Sequence, residues 1–369
     1  MQEQNPPIVL FIPALNGGGA QKVVVNLANA LVDLTSHPIQ ILLVKAEGPF
    51  LKEVRPEVEV VDLNRSRTLF ALFAIASYLR RTKPAALMSS MHYANIIASI
   101  SWWIAGKPCK LLLREATFVR NSPINSIEGI KSWLYQGLMT TAYRNDDVIV
   151  ANSKETAESL VQYKITSYDK LVTIGNPINI KSKLTQIDPQ FLSHLSIVPY
   201  LCAVGRLSME KGFDTLIQAF SQLSDTKLHL VILGEGPLRA DLTSLAKNLG
   251  VSERVHLPGF VSHPEAVIYK AKLFVLSSRW EGFGNVIVEA LATGVPIVAT
   301  DCQGAPADIL LQGELGHLVP PNDPDALSQA INEALEQPKG TIHSRQQRAL
   351  DFESSKIAQR YLNEAFGLF

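Results

Sequence analysis

Two carboxylates eight positions apart are the residues of this chain best suited to accept hydrogen bonds from a ligand. Glu281 lies in the segment Trp280-Glu-Gly-Phe-Gly-Asn285, and Glu289 falls in the apolar stretch that follows it. Carboxylate oxygens accept hydrogen bonds from hydroxyl groups, and glycines at a helix start leave N–H groups open to a phosphate or a sugar oxygen. A charge among apolar helix residues needs a partner or a ligand. We therefore predict a ligand site rather than a solvated charged surface, formed by Glu281, Gly282, Phe283, Gly284, Asn285 and Glu289.

A pair of cations forms the second candidate site. Arg206 and Lys211 stand five positions apart between Gly205 and Gly212. Two cations suit a diphosphate, because they neutralise the charge that builds on a leaving pyrophosphate. The segment is not a Walker loop, since Lys211 is followed by glycine and not by a Ser or Thr that could hold a magnesium ion. A solvated charged loop is the alternative interpretation.

A glycine cluster near the start of the chain, Asn16-Gly-Gly-Gly19, is the third candidate site. Gly18 and Gly19 follow the first predicted strand and open a helix pattern, where backbone N–H groups can bind a phosphate. The dinucleotide pattern Gly-x-Gly-x-x-Gly is not met, so a tight turn explains the cluster equally well.

Two parallel sheets are needed to position these residues. Short apolar runs alternate with helix patterns, which is typical of parallel strands covered by helices. The strands predicted in the first half are Ile8–Pro13, Gln40–Val44, Val58–Leu63, Ala85–Ser89, Lys110–Arg114, Asp147–Ala151 and Leu171–Ile174. Those predicted in the second half are Tyr200–Val204, Leu228–Leu233, Val255–Leu257, Leu273–Leu276 and Pro296–Ala299. Helix patterns between them include Ala20–Leu34, Phe213–Leu223, Pro237–Asn248 and Val286–Thr293.

The segment Lys181–Pro199 breaks this alternation and is predicted to be a linker. The fold class that follows is α/β, with two Rossmann-like domains, 1–178 and 179–354, facing each other across an interdomain cleft. A closing helix pattern at 355–369 has no strand after it and is expected to pack back on the first domain. Ligands of such open sheets bind at the carboxyl ends of the strands.

Composition and charge exclude other classes of protein. Hydrophobic residues make up 47% of the chain and charged residues 18%, which indicates a globular rather than a disordered chain. A formal net charge of zero argues against a dedicated nucleic-acid binder. Cys109, Cys202 and Cys302 form neither a disulfide framework nor a metal pattern, and the first residues lack the features of a signal peptide. We therefore expect a reduced, cytoplasmic protein.

Two segments bear on membranes. Pro84–Gly106 contains no charged residue and is long enough to span a bilayer, but its polar residues indicate a strand, a turn and a buried helix. The window Arg65–Lys131 contains ten basic residues and two acidic ones, together with an apolar helix pattern that ends in Arg80-Arg81. Because an anionic leaflet attracts cations, we predict a peripheral protein of the inner face of the cytoplasmic membrane. Core packing alone is the alternative explanation of the apolar residues.

The motifs, in their order and spacing, resemble those of the family 4 retaining glycosyltransferases, which have the GT-B fold. Glu281 to Glu289 matches the Glu-x₇-Glu signature of that family, and Gly205–Gly212 resembles its phosphate clamp. Gly18-Gly-Ala-Gln21 resembles the N-terminal glycine loop of the family. Val150–Ser153 and Gly175–Pro177 resemble the strand ends that precede its interdomain linker.

The resemblance implies roles for the residues of the second half. Arg206 and Lys211 would bind the donor diphosphate and act in catalysis, and Glu289 would bind the nucleotide ribose. Glu281, with the backbone of Gly282–Asn285, would hold the donor sugar, and Gly259 with Phe260 would form a wall of the base pocket.

In the first half the resemblance implies one catalytic residue and an acceptor side. His92 follows the fourth predicted strand, where many relatives have a histidine near the donor sugar, although an isolated histidine is more often structural. Arg114 and Glu115, at the end of the next strand, would lie on the acceptor side.

The activity implied is retaining, metal-independent transfer of a hexose or N-acetylhexosamine from a nucleotide diphosphate sugar to a lipid-linked or polysaccharide acceptor. UDP is the expected nucleotide, with GDP as the alternative. No cofactor or metal is expected, because Asp323-Pro-Asp325, which looks like an Asp-x-Asp metal motif, is explained by a helix N-terminus. The rival interpretations are a nucleotide-sugar epimerase or phosphorylase on a similar scaffold, and a non-catalytic nucleotide-sugar binding protein.

Overall fold

The computed structural model describes residues 5–116, 137–143, 147–180, 198–261 and 263–368. The chain divides into two compact units, Met1–Asn179 with Phe352–Phe369, and Ile180–Asp351. The predicted linker Lys181–Pro199 lies almost wholly outside the described residues.

The first unit is built on a seven-stranded parallel sheet with strand order β3-β2-β1-β4-β5-β6-β7. Its first strand in the sequence, Ile8–Ile12, is buried at every position, as expected for a strand covered by helices on both faces. The strands are β1 Ile8–Ile12, β2 Ile39–Leu43, β3 Glu59–Asp62, β4 Ala86–Ser90, β5 Lys110–Glu115, β6 Val148–Ala151 and β7 Leu171–Thr173. The helices are α1 Gly19–Leu31, α2 Leu72–Thr82, α3 His92–Ile104 and α4 Lys154–Gln162, with 3₁₀ turns at Pro49–Glu53, Thr68–Ala71 and Tyr168–Lys170.

The second unit is built on a six-stranded parallel sheet with strand order β10-β9-β8-β11-β12-β13. The strands are β8 Tyr200–Val204, β9 His229–Leu233, β10 Val255–Gly259, β11 Leu273–Leu276, β12 Ile297–Thr300 and β13 His317–Val319. The helices are α5 Phe213–Ser221, α6 Arg239–Asn248, α7 Pro264–Lys270, α8 Asn285–Thr293, α9 Pro306–Ile309, α10 Pro324–Glu336 and α11 Ile342–Ala349. 3₁₀ turns lie at Met209–Lys211, Ser252–Arg254 and Leu350–Phe352.

The end of the chain returns to the first unit. Helix α12, Ser354–Arg360, continues as a π-helical segment, Tyr361–Phe366. Tyr361 and Phe366 are buried in the same hydrophobic cluster as Ile8. The backbone of Ile178 holds this return, since its N–H donates to Phe352 O at 2.8 Å.

The prediction of an α/β chain with two parallel, Rossmann-like sheets is confirmed. The strand order reverses between β1 and β4 in the first sheet and between β8 and β11 in the second, and open α/β sheets bind their ligands at such a reversal. Strand β13 was missed, because three residues between the turn at Gly313–Gly316 and Pro320 give too short an apolar run to be recognised as a strand.

Two local predictions are also confirmed. The uncharged stretch Pro84–Gly106 forms β4 and α3, and within the described ranges no helix is long and apolar enough to cross a membrane. Asp323 is the N-cap of α10, where its carboxylate accepts a hydrogen bond from Ala326 N at 2.9 Å.

Candidate functional site

The loops that follow β8, β9 and β10 are tied together by backbone hydrogen bonds. Gly205 N donates to Leu233 O at 2.9 Å, and Gly234 N donates to Gly259 O at 2.8 Å. Only glycine fits at Gly234, because a Cβ there would lie 1.9 Å from Gly205 O. This contact places Arg206 and Gly259 on neighbouring loops at the carboxyl edge of the second sheet.

An ion pair joins the two strongest sequence motifs at this edge. Lys211 Nζ lies 2.5 Å from Glu281 Oε1, and the side chains are 21% and 8% exposed. Ser278 Oγ donates to the same carboxylate oxygen at 2.6 Å. Glu281 is therefore an acceptor held inside the site, and Lys211 is a cation that a bound anion can compete for.

The loop that carries Lys211 is fixed by its close approach to the end of β11. Ser277 Oγ donates to Lys211 O at 2.9 Å. Gly212 adopts φ +60°, and a Cβ there would lie 2.2 Å from Ser277 O. A larger residue at position 212 would therefore push the lysine loop away from the strand end.

Arg279 connects the same two loops from the other side. Its backbone N–H donates to Glu210 O at 2.8 Å, and its guanidinium donates to Met209 O at 2.6 Å. The guanidinium also pairs with Asp214 at 2.7 Å. Burial raises the pKa of the Asp214 carboxyl, but Arg279 outweighs it, so the net pKa lies below its ordinary value. Arg279 thus positions the lysine loop.

The Glu281 loop is held against the end of β12. Glu281 N donates to Gln303 O at 2.9 Å, and Thr300 Oγ1 donates to Ser278 O at 2.6 Å. Gly304 has φ +135°, and a Cβ there would lie 2.0 Å from Glu281 O. The carboxylate therefore depends on a glycine that the sequence motif does not include.

Helix α8 begins immediately after this loop, at a glycine that has no side chain to cap it. Gly284 is the N-cap, with φ +90°, and Gly294 ends the helix at φ +79°. Glu289 lies one turn inside and is half-buried, as the sequence predicted. Gly282 and Phe283 precede the helix, and Asn285 begins it. The first N–H groups of α8 point to the carboxyl edge of the sheet, which is the geometry for binding an anion.

Two further predicted donor residues of this unit, Arg206 and Phe260, lie on the surface of the same edge. Arg206 is exposed, and Phe260 is 72% exposed beside the buried Gly259. Both side chains are therefore available to a ligand.

Cys302 lies beside the Lys211–Glu281 pair but is not a nucleophile. Burial, reinforced by the negative charge of Glu281, raises the pKa of its thiol to about 12. A thiol with this pKa stays protonated at neutral pH, and the thiolate is the reactive form.

In the first unit, the glycine cluster opens α1 as predicted. Gly18 is the N-cap of α1 and Gly19 its first residue, and both are exposed. Gly17 and Gly18 have φ +107° and +127°, which side-chain-bearing residues rarely adopt. The cluster leaves the first N–H groups of α1 accessible at the carboxyl edge of the first sheet.

His92 belongs to a buried polar network at the ends of β4 and β5. His92 Nδ1 lies 2.6 Å from Glu115 Oε2, and Tyr143 OH donates to the same oxygen at 2.7 Å. Asn95 Nδ2 donates to Tyr143 OH at 2.8 Å. His92 is the first residue of α3 and follows Met91, whose φ of +89° is unusual for a residue with a side chain.

The network sets the protonation of His92. Burial lowers the pKa of the ring, but the charge of Glu115 and its hydrogen bond outweigh burial, so the pKa lies above its ordinary value. Glu115 therefore fixes the orientation of the ring and favours the imidazolium.

Arg114 and Glu115 are fully buried inside the first unit. Arg114 Nη1 donates to Ser90 Oγ at 3.1 Å, and Nη2 donates to Asn176 Oδ1 at 2.5 Å. Both side chains are therefore engaged by partners within the first unit and are not exposed at its surface. Their assignment to the acceptor side stays a prediction. In such a role the two residues would act through neighbouring side chains such as His92.

Sequence reasoning missed several residues that hold the site. Tyr143, Asn95, Ser278 and Gly304 act through contacts between distant positions that no local pattern reveals. One missed segment could have been found from the sequence. Gly234-Glu-Gly236 directly follows β9, just as the other glycine loops directly follow their strands.

Two family models match the chain, one on each half. Residues 17–182 match the model described as Glycosyltransferase Family 4. Residues 190–349 match the model described as Glycosyl transferases group 1.

Relatives that match along nearly their full length include two glycosyltransferases. One is the N-acetylgalactosamine-N,N'-diacetylbacillosaminyl-diphospho-undecaprenol 4-alpha-N-acetylgalactosaminyltransferase of Campylobacter jejuni, 28% identical over 97% of this chain and 99% of its own. Another is the capsular polysaccharide biosynthesis glycosyltransferase CapM of Staphylococcus aureus, 25% identical over 91% of this chain and 92% of its own.

The fold is shared with solved glycosyltransferases. HepE of Anabaena, in a complex with UDP and glucose, superposes with a TM-score of 0.80 at 21% identity, covering 99% of this chain and all of that one.

Proposed function

The chain belongs to the family 4, group 1 glycosyltransferases, and from this premise we propose that it is a retaining, metal-independent transferase that uses a UDP-sugar. The observation that carries the proposal is the Lys211–Glu281 pair at 2.5 Å, at the carboxyl edge of the second sheet. The Lys211 ammonium suits a diphosphate, and the Glu281 carboxylate suits sugar hydroxyls. A nucleotide diphosphate sugar contains a group for each of them.

The proposed donor roles are those that the resemblance to the family implies, and the exposure of Arg206 and the Lys211–Glu281 contact support them. Arg206 and Lys211 bind the diphosphate, and the N-terminus of α8 adds backbone N–H groups to it. Glu281 accepts hydrogen bonds from the donor sugar, and Glu289 from the ribose. Gly259 and Phe260 border the base, where the exposed ring offers a stacking surface.

The family resemblance also assigns roles to the glycine loop and to His92 of the first unit. Gly18 and Gly19 allow the donor to approach the start of α1 closely. The family resemblance implies that His92, which Glu115 holds and favours as the imidazolium, acts near the donor sugar.

The reaction exchanges one bond of the anomeric carbon for another. The bond from this carbon to the leaving phosphate oxygen breaks, the bond to the acceptor oxygen forms on the same face, and the departing phosphate takes the acceptor proton. Lys211 and Arg206 stabilise the charge that appears on the leaving diphosphate, which is the largest contribution that the chain makes. No metal ion is needed for this step, because the two cations supply the compensating charge.

A lipid-linked precursor of a surface polysaccharide is the proposed acceptor. The full-length relative from Campylobacter jejuni is named for transfer to an undecaprenol diphosphate-linked glycan. Such an acceptor is held in a bilayer, so we place the protein at the inner face of the cytoplasmic membrane. The donor sugar is a hexose or an N-acetylhexosamine.

Binding of the donor nucleotide tests the proposal without knowledge of the acceptor. The thermal unfolding of the protein is followed with UDP, GDP and ADP, and then with a panel of UDP-sugars. A ligand at 100 times its dissociation constant adds about 2.7 kcal/mol to the free energy of unfolding. We expect UDP to stabilise the protein and Lys211→Ala to abolish the shift. The control, Lys247→Ala, on the exposed face of α6, should keep it. Absence of a shift with every nucleotide would contradict the proposal.

A further inference from the structure

Helix α2 and the turn before it expose large apolar side chains that would ordinarily be buried. Leu69, Phe70 and Phe73 are 64%, 59% and 74% exposed. The other side of the same helix is packed into the core of the first unit, where Ile75 and Leu79 are fully buried. Core packing therefore accounts for one face of the helix and leaves the other face unexplained.

The exposed residues form a continuous stripe. Phe70, Phe73, Ser77 and Arg81 recur at intervals of three or four positions, and all four are exposed. Residues at this spacing lie on one face of a helix. The stripe is apolar at its first end and basic at its last.

A further apolar side chain is exposed on the helix that packs against α2. Trp103 of α3 is 68% exposed. Two residues earlier, Ser101 Oγ donates to Leu72 O at 3.0 Å, which joins the two helices next to Phe73.

The sequence segment that carries the stripe has charge of one sign, although Glu59 of the neighbouring strand β3 acts on Tyr78 of the same helix. Between Leu63 and Lys110 the sequence contains seven Lys and Arg residues and no Asp or Glu. Arg65 and Arg67 precede the apolar side chains, and Arg81 and Lys83 follow them; all four are exposed. Arg80 is different, because its guanidinium donates to Ile104 O and so helps to join α2 to α3.

We propose that this apolar–basic surface, formed by Leu69, Phe70 and Phe73 with Arg65, Arg67, Arg81 and Lys83, docks reversibly on an anionic lipid leaflet. The aromatic and leucine side chains enter the interfacial layer, and the cations face the lipid phosphates. The inference deepens the proposed function, which places the acceptor on a lipid carrier, but it depends only on the side chains of this surface.

Charge complementarity selects the lipid over a second copy of the chain. In a symmetric dimer the same patch meets itself, so the four cations of one copy would face the four cations of the other. An anionic leaflet neutralises all of them, with an attraction worth about a fivefold gain in binding for each cation near the surface.

Vesicle flotation tests the proposal directly. The protein is mixed with vesicles of phosphatidylcholine, or with vesicles that contain phosphatidylglycerol at about a third of the lipid. We expect co-flotation with the anionic vesicles at low salt and release near 0.5 M salt, where a Debye length of only a few ångströms screens the attraction. Equal binding to both kinds of vesicle, or binding to neither, would overturn the proposal.

Two pairs of variants separate the apolar and the basic contributions. Phe70→Ser with Phe73→Ser should abolish co-flotation, whereas Tyr168→Ser, at a side chain of the same unit that is 64% exposed, should not. Arg81→Glu with Lys83→Glu should weaken binding at least 100-fold, whereas the exposed Lys52→Glu with Lys154→Glu should leave it within a few-fold. Retention of full binding by either test variant would contradict the assignment of this surface.

Two further readouts identify the cause of a failure. The molar mass of each protein is measured by light scattering. A dimer that becomes a monomer in Phe73→Ser would show that the surface binds a second copy of the chain instead. UDP binding is measured in the same samples. Flotation without UDP binding would count against the proposed function alone, and UDP binding without flotation would count against this surface alone.

Discussion

Lys211 Nζ lies 2.5 Å from Glu281 Oε1 although the residues are 70 positions apart in the sequence. The contact unites a cation from the loop after β8 with a carboxylate from the loop after β11. It also means that Lys211 has two functions, because it neutralises a largely buried carboxylate before any diphosphate is bound.

Substitution of the two cations should therefore have different consequences. Lys211→Ala should lower turnover by about 10²–10³ and also destabilise the protein by about 1–3 kcal/mol, because Glu281 loses a partner. Arg206→Ala should lower turnover similarly and leave the free energy of unfolding within about 0.5 kcal/mol, because its side chain is exposed. Denaturant unfolding and initial rates measure the two effects. Equal stability of both variants would show that the ion pair does not contribute to the fold.

The two carboxylates should separate sugar use from nucleotide binding. Glu289→Ala should weaken the binding of free UDP by about 10- to 100-fold, since hydrogen bonds to charged groups contribute about 1.5–3 kcal/mol. Glu281→Ala should lower turnover of the UDP-sugar while the affinity for UDP changes by only a few-fold. Calorimetric titration with UDP distinguishes the two variants. An unchanged affinity of Glu289→Ala for UDP would contradict the proposal that Glu289 binds the ribose.

Gly304 should be as important for the site as the carboxylate it supports. A Cβ at position 304 would lie 2.0 Å from Glu281 O, so Gly304→Ala must displace the Glu281 loop. Gly250→Ala is the matched control, because Gly250 also has a positive φ, +72°, but its Cβ would meet nothing within 4 Å. Gly250→Ala carries the strain of the left-handed helical conformation, about 1–2 kcal/mol, whereas Gly304→Ala adds a clash with the backbone of the site. Only Gly304→Ala should therefore lose binding of the UDP-sugar, which calorimetric titration measures. A similar loss in Gly250→Ala would assign the effect to strain alone.

The charge of Glu115 should control the protonation of His92. In Glu115→Gln the burial of the ring remains while the charge that raises its pKa is removed, so the pKa of His92 should fall below its ordinary value. The raised pKa makes His92 a stabilising group at low pH, a contribution that is lost as the pH rises through the folded-state pKa. An NMR titration of the ring protons measures the shift directly. Glu57→Gln, at an exposed carboxylate of the same unit, is the control, and an unmoved pKa in Glu115→Gln would contradict this role.

The fold could be predicted from the sequence because the strands are short apolar runs in a regular alternation with helices. Every strand predicted from such a run is present within one or two residues at each end, and Glu289 lies one turn inside α8 as its spacing from Gly284 required. These features depend on local patterns in the sequence, and the periodicity of apolar residues and the positions of glycines predict them well.

The contacts that hold the site could not be predicted in this way. Lys211 and Glu281 were assigned to separate ligand groups, and their ion pair depends on the adjacency of β8 and β11 in the sheet. The burial of Arg114 and Glu115 was not foreseen either, because their strand-end position resembles that of an exposed site residue. Only the three-dimensional arrangement places Tyr143 and Asn176 beside them.

The most direct test of the central claim is a transfer assay in which both products are identified. UDP-hexoses and UDP-N-acetylhexosamines are offered, with EDTA present, to the protein and a polyprenyl diphosphate-linked glycan. The UDP released and the glycosylated lipid are quantified, and NMR determines the anomeric configuration of the new bond. We predict that one donor yields a molecule of UDP for each sugar transferred, with the configuration of the donor retained, and that Lys211→Ala suppresses both products. Conversion of a donor without acceptor, transfer that EDTA abolishes, or an inverted product would contradict the account.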